Sequence, residues 1–299
     1  MTAPLKVVLI GCVRFSRSMF DVLAALDHVE LRGVVTRSEN TINADHADLS
    51  SAARAANIPV FDAKSQDQGA MAHWIADRTA DVIFCLGWSY LLKQPVLEAA
   101  PRGVIGYHPA LLPRNRGRHP IIWALALGLK ETGSTFFQMD TRADSGPILS
   151  QQRVAIADDA DAASLYATLE TVAGGQIRAL TLGLRDNMVA PIPQKETEAT
   201  HWRKRGKSDG RIDWRMDATA IHHLVRALAP PYPRAHFEFR GVDVHVWKSR
   251  IGGQGARDVE PGFVLGSAGG VPHVQCGGGT TIYLEAHDLT VNLSAGDYL

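Results

Sequence analysis

Length, composition and charge set the first limits on this chain. Its 299 residues are 45% hydrophobic and 21% charged, which is ordinary for a globular protein and sufficient for a large core domain plus a smaller one. Lys and Arg together number 31, as do Asp and Glu, so the chain offers no overall positive charge to a polyanion.

The cysteines and the apolar runs narrow the class of protein further. The three cysteines are far apart, which excludes a disulfide framework and a CxxC metal site, so we expect buried, reduced thiols and no bound metal. The apolar stretch at the N-terminus is too short for a signal peptide, and no run approaches the length of a membrane span. We therefore expect a cytoplasmic protein without a membrane partner.

Up to about residue 108, short apolar runs alternate with segments of helical periodicity. A first strand is predicted at Leu5–Ile10, and a helix is predicted to begin near Ser16. Further strands are predicted at residues 29–36, 58–61, 81–87 and 103–108. Strands joined by crossover helices form parallel sheets. The prediction for this part is a Rossmann-like, mostly parallel α/β sheet.

The composition of the sequence changes near residue 195. Before that point we predict a helix at 119–128, extended runs at 134–140 and 147–156, and a long helix at 162–184. Residues 195–210 are polar, charged and rich in turn residues, as linkers are. We place a first domain at 1–195, a linker at 196–209 and a second domain at 210–299. The second domain has a helix at 218–228 and then short strands separated by Gly and Pro, which predicts a small OB-like β-barrel.

The segment from residue 103 to 151 carries the residues most suited to chemistry. A strand that runs into His108 places an imidazole at the carboxyl end of a parallel strand, where open α/β sheets build their sites. The polar loop 140–146 could return Asp144 to His108. Taken alone, His108 would more often be a structural histidine and Asp144 a turn residue. Three arginines at 114, 116 and 118 favour phosphate or carboxylate binding over a merely solvated basic face.

The order of several motifs resembles a known family. H-P-x-L-L-P-x-x-R-G, an apolar helix, E-T-G-x-T and then M-D-x-x-A-D-x-G-P-I are similar to the folate-dependent formyltransferases, which include glycinamide ribonucleotide, methionyl-tRNA and sugar-nucleotide members. The likeness covers about the first 190 residues and continues more weakly at 210–214 and 224–239. It implies an enzyme that moves the formyl group of 10-formyltetrahydrofolate to an amine.

The resemblance also assigns roles to single residues. His108 matches the catalytic histidine, and Asp144 matches the aspartate that orients it and favours its protonated form. That form can stabilise the oxyanion produced when an amine attacks the formyl carbon. The positions that match the folate-binding residues are Tyr90, Leu91, Leu92, Arg118, Asp140, Thr141, Arg142, Ala143 and Asp144.

Two further positions of the family pattern concern the acceptor and the oxyanion. The turn after the first strand borders the acceptor in the family, so Arg14 and Ser16, together with Arg116, are candidates to bind it. Most members carry asparagine two residues before the histidine, and here that position is Gly106. A backbone N–H, a nearby side chain or His108 alone must then stabilise the oxyanion.

The acceptor amine is the open question within the family. The tRNA members resemble one another in a long basic insertion after the second strand, whereas residues 38–53 here contain no Lys or Arg but include Glu39, Asp45 and Asp48. Such a segment would repel a phosphate backbone. The phrases LGWSYLLK, RGRHPIIWAL and STFFQMDTRADSG look most like formyltransferases of amino-sugar biosynthesis for surface polysaccharides. A nucleotide-linked amino sugar is therefore the first choice, with no nucleic-acid partner and a homodimer left open.

Three alternatives remain at this point. The chain could be a methionyl-tRNA formyltransferase, or a 10-formyltetrahydrofolate hydrolase, because the same His and Asp could activate water. It could also be a non-catalytic binding protein, with Gly106 as a sign of decay.

Overall fold

The computed structural model describes residues 2–39, 44–64 and 68–299. The described chain divides into two compact units. The first comprises the residues up to Pro120, Thr132–Val154 and Ala167–Trp202, and the second comprises Ile121–Glu131, Ala155–Tyr166 and Arg203–Leu299. The domain and linker bounds at 195 and 210 stay predictions.

The principal sheet of the first unit has seven strands. They are β1 Leu5–Ile10, β2 Val29–Thr36, β3 Val60–Asp62, β4 Val82–Cys85, β5 Val104–His108, β7 Glu131–Gln138 and β8 Ile148–Ala155, and the short strands β6 Arg116–Gly117 and β9 His201–Trp202 pair with each other. The spatial order is β3-β2-β1-β4-β5-β7-β8. Neighbours from β3 to β5 are parallel, and β7 is antiparallel to β5. The predicted mostly parallel α/β sheet is confirmed.

This order fixes where a site can form. The order in which the chain adds strands to the sheet reverses direction at β1. Strands β2 and β3 lie on one side of β1, and β4 and β5 lie on the other. Open α/β sheets bind ligands in the crevice that such a reversal leaves at the carboxyl ends of the strands. His108 is the last residue of β5 and ends at this edge.

The helices follow the sequence periodicity closely. They are α1 Arg14–Ala24, α2 Ser50–Ala55, α3 Gln68–Ala76, α4 Gln94–Leu97, α5 Pro120–Ala126, α6 Ala162–Arg185 and α7 Ala218–Ala227. Helix α1 buries Phe15, Met19 and Leu23, which recur four residues apart and so share one face. Strand β4 is buried at every residue, as its continuous apolar run predicts. Among the described residues, no helix combines the length and apolarity needed to span a membrane.

The second unit contains a five-stranded antiparallel sheet. Its strands are β10 Ala235–Phe239, β11 Val242–Gln254, β12 Val264–Ala268, β13 Val271–Gln275 and β14 Thr280–His287, in the order β10-β11-β14-β13-β12. An antiparallel β domain is therefore confirmed. The closed OB-like barrel stays a prediction, because no strand pairing in the described part of the chain joins β12 to β10.

Candidate active site

The imidazole of His108 lies at the end of β5 with both ring nitrogens facing oxygen atoms. Its side chain is only 5% exposed. Nε2 lies 2.7 Å from the carbonyl oxygen of Asn115, and because a carbonyl can only accept, Nε2 must carry a proton. Nδ1 lies 3.8 Å from Oδ2 of Asp144, which is too far for a direct hydrogen bond. The contact that orients the ring is thus the Asn115 carbonyl rather than the predicted Asp144 carboxylate.

Asp144 is held beside His108 by backbone contacts. Its Oδ2 accepts a hydrogen bond from the backbone N–H of Gly117 at 2.9 Å, and its own φ is +56°. Aspartate is among the few residues that tolerate this left-handed conformation. The structure therefore brings together the two residues that the motif order placed on separate loops, with the carboxylate opposite Nδ1 of His108.

The loop that carries Asp144 has a shape fixed at both ends. Oδ1 of Asp140 accepts from the backbone N–H of Arg142 at 2.8 Å and from the hydroxyl of Ser145 at 3.0 Å. At the other end, a Cβ on Gly146 would lie 1.7 Å from the carbonyl oxygen of Gln138, so only glycine fits. Between them, the predicted folate-binding residues 141–143 are exposed.

Gln194, a partly buried residue that no sequence motif marks, supports this loop. The side-chain amide of Gln194 donates to the carbonyl oxygens of Asp144 at 2.9 Å and Gly146 at 2.7 Å. Its Oε1 accepts from the guanidinium of Arg116 at 2.9 Å. Gln194 lies 50 residues beyond Asp144, in a polar segment that carries no motif.

Arg116 does not occupy the position predicted for it. Its side chain is 2% exposed, and Nη1 forms an ion pair with Glu196 at 3.0 Å while two other nitrogens bind Gln194. A buried guanidinium with these partners is not presented to a substrate phosphate. The prediction that Arg116 binds the acceptor is corrected to a supporting contact beneath the Asp144 loop.

The turn after β1 also differs from the prediction. Ser16 is fully buried; its hydroxyl donates to the carbonyl oxygen of Leu86 at 2.5 Å and accepts from the N–H of Val13 at 3.2 Å. It therefore fixes the start of α1, with its hydroxyl bonded within the fold. Arg14 keeps 47% of its side chain exposed, with Nη2 3.0 Å from Glu170.

A partly aromatic segment follows β4. The rings of Trp88 and Tyr90 lie 5.7 Å apart, and the guanidinium carbon of Arg37 lies 5.0 Å from the Tyr90 ring centroid. Leu91 is 70% exposed whereas Leu92 is buried. Nε1 of Trp88 is buried without a hydrogen-bond partner among the described residues.

This segment fits a ligand with an exposed apolar surface and a hydrogen-bond acceptor, because a buried unpaired N–H is costly unless something satisfies it. The remaining predicted folate-binding residue, Arg118, is exposed.

The position of the missing asparagine is occupied by neighbouring side chains. A Cβ on Gly106 would lie 2.9 Å from Cγ of Met139 and 3.0 Å from the ring of Phe137. Gly106 pairs with Phe137 across β5 and β7. The glycine is thus part of a close packing arrangement and leaves no space for an amide.

Two other titratable groups near the site are unsuited to proton transfer. Burial raises the pKa of the Tyr107 phenol and of the Cys85 thiol well above their ordinary values. Both groups stay neutral at physiological pH. By contrast, Nδ1 of His108 faces the Asp144 carboxylate at the edge of the sheet.

Comparison with known proteins gives matches over most of the chain. Residues 6–180 match the formyl transferase family, and residues 204–290 match the formyl transferase C-terminal domain.

Several solved structures share the fold. WlaRD, a sugar 3N-formyl transferase solved in the presence of dTDP and 5-N-formyl-THF, is 16% identical over 93% of this chain and 96% of its own, with a TM-score of 0.68. An N-formyltransferase from Helicobacter canadensis, in complex with folinic acid and dTDP-3-aminofucose, is 14% identical over 94% of this chain and 98% of its own, with a TM-score of 0.71. Methionyl-tRNA formyltransferase from Clostridium thermocellum is 14% identical over 82% of this chain and 93% of its own, with a TM-score of 0.61. At such identities the likeness establishes the fold alone.

Proposed function

Since the chain belongs to the formyl transferase family, we propose that it transfers the formyl group of 10-formyltetrahydrofolate to the amine of a nucleotide-linked amino sugar. The observation that carries the reaction is the approach of His108 to Asp144 at the carboxyl edge of the sheet, with 3.8 Å between Nδ1 and Oδ2.

In the proposed reaction the formyl donor supplies an activated one-carbon group, the amine nitrogen bonds to its carbon, and the bond from that carbon to N10 breaks. Because Nε2 of His108 already donates to Asn115, Nδ1 is the ring atom that can take up the amine proton. The Asp144 carboxylate then stabilises the positive imidazolium. The same proton can pass to the leaving N10, so atoms and charge balance.

The donor assignment draws on the segment after β4 and on the Asp144 loop. A heterocyclic ligand with acceptor atoms would use three features of the segment after β4. They are the unpartnered Nε1 of Trp88, the exposed side chain of Leu91 and the ring of Tyr90, against which the Arg37 guanidinium lies. The proposed folate contacts are these residues with Leu92, Arg118 and residues 140–144.

The acceptor assignment draws on charge. Glu39 and Asp48 are exposed, and residues 40–43 of the same acidic segment lie outside the described residues. A negative surface here disfavours the phosphate backbone of tRNA. Two proteins share the fold along almost their whole length; one is named a sugar 3N-formyl transferase, and the other is an N-formyltransferase in complex with dTDP-3-aminofucose. Arg14 is the proposed phosphate contact, since Arg116 is buried and Arg118 is assigned to the folate.

The test is a competition between initiator methionyl-tRNA and a panel of dTDP- and UDP-linked amino sugars, with 10-formyltetrahydrofolate as donor and His108→Ala as the inactive control. We expect turnover of at least one amino sugar and none of the tRNA. Efficient formylation of the tRNA alone would overturn the acceptor and leave the reaction class. Formate release without any amine would instead indicate the hydrolase, and no turnover at all the binding protein. Surface-polysaccharide synthesis, the cytoplasmic location and a homodimer stay predictions.

A further inference from the structure

A second site is suggested by one face of the five-stranded sheet in the second unit. The strand register pairs Arg250 of β11 with Tyr283 of β14, Tyr283 with His273 of β13, and His273 with Gly266 of β12. Directly paired residues of antiparallel strands share a face. These four positions therefore form a row across four strands.

Three members of the row form a stack. The imidazole of His273 lies parallel to the Tyr283 ring, with 4.1 Å between centroids and 10° between planes. The guanidinium carbon of Arg250 lies 4.1 Å from the centroid of the same tyrosine ring. The stack ends at His273, because the next position in the row is a glycine.

The space above that glycine is open. A Cβ on Gly266 would meet no atom within 4 Å, and Gly266 is not among the glycines with positive φ. The backbone therefore does not require glycine here, and its effect is to leave the space beside His273 empty. A cavity of about 670 Å³, open to solvent, occupies this place.

The rim of the cavity carries a positive charge. Glu285 lies between two cations, with Oε2 3.8 Å from Nζ of Lys248 and Oε1 3.1 Å from Nε of Arg250. One carboxylate shared by two cations leaves one positive charge uncompensated among these three groups. Burial, and then the charge of Arg250, lower the pKa of His273, so its ring is neutral at physiological pH and offers an aromatic surface.

We propose that this cavity binds a planar heterocycle that carries an anionic group, with the ring over Gly266 stacked on His273 and the anion at Lys248. Aromatic stacking would extend the existing row by one ring. The anion would take the place of Glu285 as partner of Lys248, and Glu285 would keep its contact with Arg250. Nucleoside phosphates and folates both have this chemistry, and the inference does not depend on the function proposed above.

The first test is calorimetric titration of the full chain with UMP and, separately, with 5-formyltetrahydrofolate. Gly266→Leu should fill the slot and weaken binding of the true ligand class at least tenfold while the formyl-transfer rate stays unchanged. Gly175→Leu is the matched control, because a Cβ there also meets nothing within 4 Å. Loss for UMP alone identifies a nucleotide, and loss for the folate alone identifies a folate.

The second test uses the charge. Glu285→Gln should tighten binding of the same ligand about threefold to tenfold, because it removes the carboxylate that competes for Lys248, and added salt should reduce the gain. If UMP is the ligand, uridine and ribose 5-phosphate should each bind at least tenfold more weakly. The proposal is overturned if Gly266→Leu changes the affinity of neither ligand, or if Glu285→Gln weakens binding.

Discussion

The turn after β5 and the turn after β1 both carry residues to which the family resemblance assigns a role in the site, yet the structure uses them differently. After β5, Nδ1 of His108 faces the Asp144 carboxylate at the edge of the sheet. After β1, the hydroxyl of Ser16 is bonded within the fold. A motif thus predicts where a backbone position lies more dependably than whether its polar atoms face a ligand or the protein.

The largest loss of activity is expected for variants of His108 and Asp144, the pair at the end of β5. His108→Ala, Asp144→Ala and the double variant should each lower kcat by about 10²- to 10⁴-fold, as expected when a proton-transfer group is removed. The double variant should be little worse than the worse single variant, because the two groups act as a unit. Steady-state kinetics with the identified acceptor, after a check of folding by circular dichroism, gives the measurement. Near-normal turnover by His108→Ala would rule out this mechanism.

Arg116 sharpens the comparison, because it belongs to the site motif but points into the protein. Arg116→Lys keeps the charge yet cannot bridge both Gln194 and Glu196 with a planar fork. We expect kcat to fall about tenfold to a hundredfold, the midpoint of thermal unfolding to fall, and KM for the acceptor to change less than twofold. Arg102→Lys, at a partly exposed arginine that contacts Asn187, is the control.

A phosphate-binding role for Arg116 predicts the opposite pattern, in which KM for the acceptor rises and kcat and stability are preserved. Gln194→Ala separates the two further. If Gln194 holds the Asp144 loop through the carbonyls of Asp144 and Gly146, its loss should reproduce the effect of Arg116→Lys.

The fold was accessible from sequence because burial imposes regular patterns. Strand β2 has the predicted bounds, and α6 ends within one residue of them, since β-branched runs and helical periodicity are local signals. The contacts of Gln194, by contrast, are set by packing between segments 50 residues apart. A hydrogen bond between distant segments produces no periodic pattern in the sequence. The contacts that bury Arg116 and the role of Gln194 could therefore be seen only in the structure.

The packing around Gly106 could not be predicted from the sequence either. Substitution of this glycine is expected to change activity less than substitution of His108 or Arg116. Gly106→Asn should not raise kcat, because even the Cβ would crowd Met139 and Phe137; overpacking of this kind costs about 1–3 kcal/mol. Gly106→Ala is the matched control for the Cβ alone, and Gly106→Asn with Met139→Ala should regain stability. Chemical denaturation and steady-state rates measure both effects. A tenfold gain in kcat, about 1.4 kcal/mol of barrier, would show that the site merely lacked a donor.

The smallest effect on activity is expected for Ser16→Ala, in the turn after β1. This variant is also the most direct test of the contrast between the two turns. Ser16→Ala removes a hydroxyl that bonds the Leu86 carbonyl and the Val13 N–H, so the free energy of unfolding should fall by about 1–2 kcal/mol. Because the hydroxyl is buried, kcat and the acceptor KM should stay within about twofold of the original values. Arg14→Ala is the partner variant, since the Arg14 side chain is half exposed although Nη2 pairs with Glu170. Its loss should raise KM for a phosphorylated acceptor while stability changes little. A rise in acceptor KM for Ser16→Ala as large as that for Arg14→Ala would mean that this serine does meet the substrate, and the contrast between the two turns would then fail.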